Sequence, residues 1–386
     1  MNAPAGLGPE AGGPVAGGPA GPGAPAPPKH TRRGKARKPL RGVPHRRRMP
    51  PSEWESWEDE RLLELRLCDL DLRIGGTFVE PLVRQALAEL AERGLSFRPH
   101  FWLSDEWFTP DGVPGAAIPF YLAHPRLARL EQSQMLEVEG GTPEWCLRIL
   151  RHEVGHAIEN AYRLKRLKRR IQHFGRSSQR YPEDYAPRPY SKSYVTHLGY
   201  GYAQSHPDED FAETFAVWLT PGSDWAERYK GWKALRKLSY MDELMRGLAG
   251  QSPKVRMRRE IEPLRALRRT LREHYDARRA TYGVGEPELY DRDLRRLFST
   301  APEHARNPSA ARFVSRMRRE ARRLVRRWAG VYQYTIDQVL GKMIVRCRAL
   351  NLRLAGPEEH VRQEFLVLLA VRVVNDLHSG RQRLAL

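Results

Sequence analysis

The sequence predicts an α+β fold, in which a small mixed sheet with an edge strand packs on a histidine-bearing helix and on a second, glutamate-bearing helix. Three observations support this. Short stretches of alternating apolar and polar residues occur before residue 124. Segments with helical spacing lie between and after them. Beyond residue 251 only helical patterns occur, which predicts a mostly α-helical C-terminal region.

Strand and helix patterns follow one another in the first part of the chain. Alternation predicts strands over residues 67–74, 96–103 and 116–123. The turn residues Thr109-Pro110-Asp111-Gly112 separate the last two. Pro119 lacks a backbone N–H, so the third is expected at a sheet edge. Helical spacing over residues 78–91, ended by Gly94, predicts a helix between the first two strands.

The later elements are mostly helices. Thr142 and Pro143 have the residue types of an N-cap and a first helical position, and this helix should extend to about Lys168. Residues 171–206 are rich in Tyr, Pro, Ser and Gly and predict an irregular segment, after which Pro207 begins a helix. The remaining helical patterns cover residues 208–219, 239–248, 255–279, 310–327, 332–350 and 358–376.

Charge divides the 386 residues into three parts. Residues 1–50 are rich in Gly, Pro and Ala, carry ten Lys or Arg and one acidic residue, and predict a disordered tail. Residues 51–250 carry 26 basic and 30 acidic residues and should form the domain with the histidine helix. Residues 251–386 carry thirty basic and fifteen acidic residues and predict a basic helical domain. The net charge of +20 therefore belongs to the flanks.

The histidine helix contains the HExxH pattern at residues 152–156. Because residues four apart share one face of a helix, His152 and His156 can bind one zinc ion. Glu153 can act on a water molecule rather than on the metal. A histidine at position 162 would indicate a metzincin, but Tyr162 stands there. The pattern therefore predicts a zinc site with Glu153 as a general base.

A third zinc ligand is expected on the helix that follows Pro207. Glu209 and Glu213 lie four residues apart and share one face of that helix. One carboxylate can bind zinc, while the other accepts the second ring N–H of a ligand histidine. The spacing alone leaves open which glutamate has which role.

HExxH followed by a distant helical Glu-x-Phe-Ala-Glu resembles the gluzincin metallopeptidases. Residues 209–215 are similar to the catalytic domain of anthrax lethal factor and to bacterial zinc-binding metallopeptidases. The resemblance covers about residues 67–220. It implies that Glu209 is the third ligand beside the two histidines, and that Glu213 supports a ligand histidine without binding the metal itself.

The same resemblance implies further roles. Tyr202, seven residues before Glu209, would help to stabilise the tetrahedral intermediate, with Tyr200 as a competing candidate. The edge strand near residues 116–122 would pair with the backbone of the substrate. The implied function is a zinc-dependent peptidase with a protein or peptide substrate.

A second hypothesis comes from the basic flanks. Lys and Arg clusters bind phosphate without sequence preference, so the chain can instead be a nucleic-acid-associated or scaffolding protein with a structural or vestigial zinc site. Its three separated cysteines predict no disulfide framework. No apolar run approaches about 18 residues, and the N-terminus lacks a signal-peptide pattern. These features predict a cytoplasmic protein without a membrane segment.

Overall fold

The computed structural model describes residues 48–181, 188, 191–199, 201–281, 290–329, 331 and 333–378. Nearly all of the predicted disordered tail, residues 1–50, therefore lies outside the described residues. Within the described ranges, no helix is both long enough and apolar enough to cross a membrane.

Helices dominate the described chain. The α-helices are α1 (Pro51–Trp54), α2 (Asp59–Leu63), α3 (Val79–Glu92), α4 (Pro125–Met135), α5 (Pro143–Tyr162), α6 (Lys168–Phe174), α7 (Pro207–Leu219), α8 (Trp225–Arg228), α9 (Ala234–Leu248), α10 (Leu271–Thr281), α11 (Asp291–Leu297), α12 (Ala310–Ala329), α13 (Gln333–Ala349) and α14 (Glu358–His378). The strands are β1 (His100–Ser104), β2 (Gly115–Pro119), β3 (Phe298–Ser299) and β4 (Arg353–Leu354).

The sheet that positions the site is small. β1 and β2 pair in parallel, and one antiparallel bridge joins Phe108 to Ala117 of β2. Because parallel strands need a crossover connection, residues 105–114, the crossover loop, must run back along the sheet, and this places Phe108 beside β2. The predicted strands over 96–103 and 116–123 are each confirmed in part. β1 begins only at His100, and β2 gives way to a 3₁₀ turn at Phe120.

The predicted strand over residues 67–74 is wrong. Residues 67–69 form a 3₁₀ turn, and the backbone N–H of Leu67 donates to the carbonyl of Arg269. Leu67 and Leu70 are both buried, at the three-residue spacing of a 3₁₀ turn. The apolar alternation therefore comes from a turn that docks on a distant segment.

The helix predicted from residue 255 onward begins only at α10. Before it, the chain runs irregularly along β1. The indole N–H of Trp102 donates to the carbonyl of Ile261, and the hydroxyl of Ser104 donates to the carbonyl of Glu262. Side chains of β1 thus bond to carbonyls that a helix would use internally.

Three large apolar clusters hold the described elements together. The first half of α5 packs with α4 and with Leu264, Leu271 and Tyr275, although the sequence places these three in the C-terminal region. The second half of α5 packs with α7 and α9. Both halves of α5 are therefore anchored.

α11 to α14 form a separate apolar cluster, which includes Phe298 of β3 and Leu354 of β4. These two short strands pair although no strand was predicted there.

α5 and α7 approach closely at Gly155. A Cβ at this position would lie 2.9 Å from the Cα and 3.1 Å from the carbonyl oxygen of Ala212. These are backbone atoms, so they cannot turn aside as a flexible side chain can. The glycine inside the HExxH pattern therefore sets how near the second helix comes.

Gly155→Ala is expected to destabilise the protein by about 1–3 kcal/mol, because the added methyl group pushes α7 away from α5. Thermal unfolding followed by circular dichroism measures this as a lower Tm. The matched control is Gly247→Ala in α9, where a Cβ would meet nothing within 4 Å. That change should be neutral or stabilise by up to about 1 kcal/mol. Equal Tm values for the two variants would contradict the close approach.

Candidate metal centre on helices α5 and α7

Helix α5 carries both histidines in its buried middle. Thr142 caps its N-terminus as predicted, since its hydroxyl accepts a backbone N–H of the first turn. The helix ends at Arg163, which has a left-handed φ of 57°, before the predicted end near Lys168. His152 is 1% exposed, and His156 lies one turn later on the same face.

Three atoms of metal-ligand type converge between α5 and α7. His152 Nε2 lies 3.1 Å from both Glu209 Oε2 and His156 Nε2. His156 Nε2 lies 3.2 Å from the same carboxylate oxygen. Tetrahedral zinc with bonds of about 2.0–2.1 Å holds its ligand atoms about 3.3 Å apart, so the triangle fits this ion. Among the described residues, these three form the group that can hold a metal.

Glu213 lies behind His152 rather than at the triangle. Its Oε1 is 3.1 Å from His152 Nδ1. Its Oε2 accepts backbone N–H groups of His197 at 3.2 Å and Leu198 at 3.1 Å. The two glutamates therefore occupy different places: Glu209 faces both imidazoles, and Glu213 contacts the far side of one.

The cluster is electrostatically coupled. Burial disfavours the charged form of His152, but hydrogen bonds and charges of Glu209 and Glu213 outweigh it and raise the pKa of His152 to about 10. Glu209 also raises the pKa of His156 against the effect of burial. In turn, burial opposes the charge on Glu209, yet the two histidines hold the pKa of Glu209 well below its ordinary value. A metal ion must therefore displace protons from the cluster.

Glu153 lines the same cavity, and Thr109 holds its carboxylate. The Thr109 hydroxyl donates to Glu153 Oε2 at 2.7 Å. The side-chain amide of Asn160 donates to the carbonyls of Pro110 and Val113, each at 3.0 Å, and ties the crossover loop to α5. Sequence reasoning found only a turn at Thr109, because its contact with Glu153 joins segments 44 residues apart.

Tyr202 lines the cavity beside the histidines. It lies in a 3₁₀ turn, is 7% exposed, and its ring centroid is 5.5 Å from that of His152. The structure therefore brings this residue to the cluster. Tyr200, the competing candidate, lies outside the described residues.

Tyr181 is a site residue that sequence reasoning missed. Its hydroxyl donates to Glu209 Oε1 at 2.8 Å. Its ring stacks on His206 at 3.6 Å, and His206 caps the N-terminus of α7. Tyr181 thus holds the carboxylate oxygen that does not face the histidines. It lies in an irregular segment with several tyrosines, and no local pattern distinguishes it from them.

The cavity between these side chains is narrow. Its volume is about 20 Å³, room for about one water molecule. Lys165 Nζ, 2.6 Å from Asp111 and 2.9 Å from Asp208, joins the crossover loop to α7. The resemblance assigns the edge of β2 to the substrate. At Ala117 this edge is occupied by the crossover loop, because the N–H of Ala117 donates to the carbonyl of Phe108.

The fold and the cluster define a candidate zinc centre on two packed helices. Residues 146–232 match a family model described as "Putative zinc-binding metallo-peptidase". The match indicates a metallopeptidase over this part of the chain, and it spans the histidines of α5 and the glutamates of α7. No curated protein and no solved structure matches the chain.

Proposed function

We propose that the chain is a zinc-dependent peptidase of the gluzincin type, in which His152, His156 and Glu209 bind the ion. The observation that carries this proposal is the triangle of ligand atoms, no side longer than 3.2 Å, with Glu153 beside it but not part of it. The family match over residues 146–232 supports the broader class of zinc-binding metallopeptidases.

The residues around the triangle have separate roles in this proposal. When bound, zinc lowers the pKa of a water molecule to about 7 and polarises the scissile carbonyl. Glu153, held by Thr109, takes a proton from the attacking water and gives it to the leaving amine. Glu213 accepts the Nδ1–H of His152 and so directs Nε2 to the metal. Tyr202 stabilises the oxyanion with its hydroxyl.

Tyr181 is a positioning residue in this scheme. Since it donates to Oε1 of Glu209, it leaves Oε2 directed at the histidines. A carboxylate held by a hydrogen bond on one oxygen loses less conformational freedom when its other oxygen binds a metal.

The proposed function is tested by hydrolysis of a quenched-fluorescence peptide library by the zinc-loaded full chain. Glu153→Gln is the inactive comparison, and a wild-type chain without hydrolysis would reject the proposal.

Zinc binding is expected to weaken as the pH falls. His152, with a pKa of about 10, holds a proton at neutral pH, and a histidine must lose that proton to bind zinc. The apparent affinity should therefore fall about tenfold per pH unit for each displaced proton, or about 100-fold from pH 8 to pH 6 for one proton. Competition titrations with a zinc indicator measure the affinity, and calorimetry in two buffers counts the protons. A pH-independent affinity would contradict this assignment.

A further inference from the structure

Helix α12 presents a row of arginines on one exposed face. We call this the arginine row; its members, all exposed, are Arg312, Arg316, Arg319, Arg323 and Arg327. Because a helix rises about 1.5 Å per residue, the row extends about 22 Å. The other face of α12 packs in the C-terminal cluster through Phe313, Val314, Met317, Ala321 and Val325. The row therefore faces away from the core.

Most of the arginine row is not neutralised by the protein. Arg316 lies 2.6 Å from Glu358. The other four members have no ion pair with the described residues. Arg318 and Arg322, which flank the row on the same helix, are bonded to Asp337. The arginines that help to hold the fold are thus paired, while those of the row are left available.

The spacing of the arginine row has a cost for the helix. Its members follow one another at intervals of three or four residues. Like charges at this spacing repel and destabilise a helix. Apart from the pair of Arg316 with Glu358, the row makes no ion pair with the described residues that would offset this repulsion. An external anion that lies along the row would offset it.

A groove lies beside the middle of the arginine row. Its volume is about 460 Å³, and its lining residues are Arg316, Arg319, Arg322, Arg323, Gln132, Gln333, Leu136 and Glu320. Four guanidinium groups therefore face one carboxylate, and that carboxylate, of Glu320, already pairs with Arg362. The remaining walls are two amides and one apolar side chain. Guanidinium groups suit phosphates, and amide and apolar groups suit the edges of bases.

An exposed aromatic side chain lies at the end of the arginine row. Trp328 is 78% exposed, and the Cζ of Arg327 is 5.5 Å from the centre of its ring. Exposed aromatics beside basic side chains are platforms on which unpaired bases stack. Base stacking is a contact that an acidic peptide does not offer.

We propose that the arginine row and its groove bind single-stranded nucleic acid. The tail at residues 1–50 is excluded as the occupant, because ten basic residues against one acidic residue give it the same sign of charge. A single strand is favoured over a duplex because its unpaired bases can stack on Trp328, whereas the bases of a duplex are already stacked on one another. This binding goes beyond the proposed hydrolysis and does not depend on zinc.

The test is fluorescence anisotropy of a labelled mixed-sequence DNA strand of about 20 nucleotides, titrated with the full chain at several salt concentrations. Arg319→Glu/Arg323→Glu should weaken binding at least tenfold. Because this variant neutralises two fewer phosphates, the salt slope of log Kd should also fall by about 1.4. The matched control is Arg295→Glu/Arg296→Glu on α11, two exposed arginines with the same change in charge. That control should weaken binding much less.

Four results would overturn the proposal. The first is that the wild-type chain fails to bind the strand. The second is that both double variants weaken binding equally, which would mean that net charge alone acts. The third is that a duplex of the same length binds as tightly as the single strand, and the fourth is that polyglutamate displaces the strand at equal charge concentration, which would assign the surface to an acidic protein. Matching circular dichroism spectra and Tm values establish that the variants are folded.

Discussion

Glu153→Gln is expected to lower the rate of peptide hydrolysis by about 10²–10⁴-fold while the zinc content of the chain stays unchanged. An amide cannot take a proton from the attacking water, and Glu153 is not one of the three residues whose atoms converge at the triangle. The change should also preserve the local structure, since the amide oxygen can still accept the Thr109 hydroxyl that now bonds to Glu153 Oε2 at 2.7 Å. Atomic emission gives the zinc content, and the peptide library gives the rate.

A matched control for this prediction lies in the first turn of the same helix. Glu144 is exposed, so Glu144→Gln makes the same chemical change on α5 away from the cavity and should retain wild-type turnover. If Glu153→Gln hydrolyses peptides at the wild-type rate, Glu153 is not the base. If it loses zinc as well as activity, the residue contributes to the metal site itself.

The second large effect is expected at Glu209. Its Oε2 lies 3.1 Å from His152 Nε2 and 3.2 Å from His156 Nε2, so Glu209→Gln replaces a charged ligand with a weak neutral one. The zinc affinity should fall more than about 100-fold, and hydrolysis should be lost with it. Competition with a chelating indicator measures the affinity.

Glu213→Gln is the comparison that separates the two glutamates. Glu213 contacts His152 on Nδ1, at 3.1 Å, and not on the nitrogen that faces the triangle. Loss of such a supporting carboxylate typically lowers metal affinity about 10–100-fold. A larger loss for Glu213→Gln than for Glu209→Gln would exchange the two roles.

Regular helices were the most predictable part of this fold. The spacing of apolar residues predicts α3, α7, α12, α13 and α14 close to their observed bounds, because helical periodicity is a local property of the chain. Residues 67–74 and the segment after 255 were predicted wrongly for a common reason. Each bonds through its backbone to a distant part of the chain, and those bonds replace the ones that a regular strand or helix would make.

Within the candidate site, the spacing of residues along each helix predicted which two side chains share a face, and tertiary packing decided how the histidine pair and the glutamate pair meet. Four-residue spacing is enough to place His152 and His156 on one face, and likewise Glu209 and Glu213, since a helix repeats every 3.6 residues. Which glutamate faces both imidazoles depends on how far α7 is rotated and how near it lies, and the contact at Gly155 sets that distance.

The roles of the residues around the pairs were decided only by the tertiary structure. Thr109 reaches Glu153 from a crossover loop that the parallel pairing of β1 and β2 brings back over the sheet. Tyr181 reaches Glu209 from 28 residues away. Such contacts join segments whose separation is set by packing, so periodicity along the chain carries no signal of them. The HExxH pattern therefore indicates the chemistry, and the packing of α5 on α7 decides which side chains take part in it.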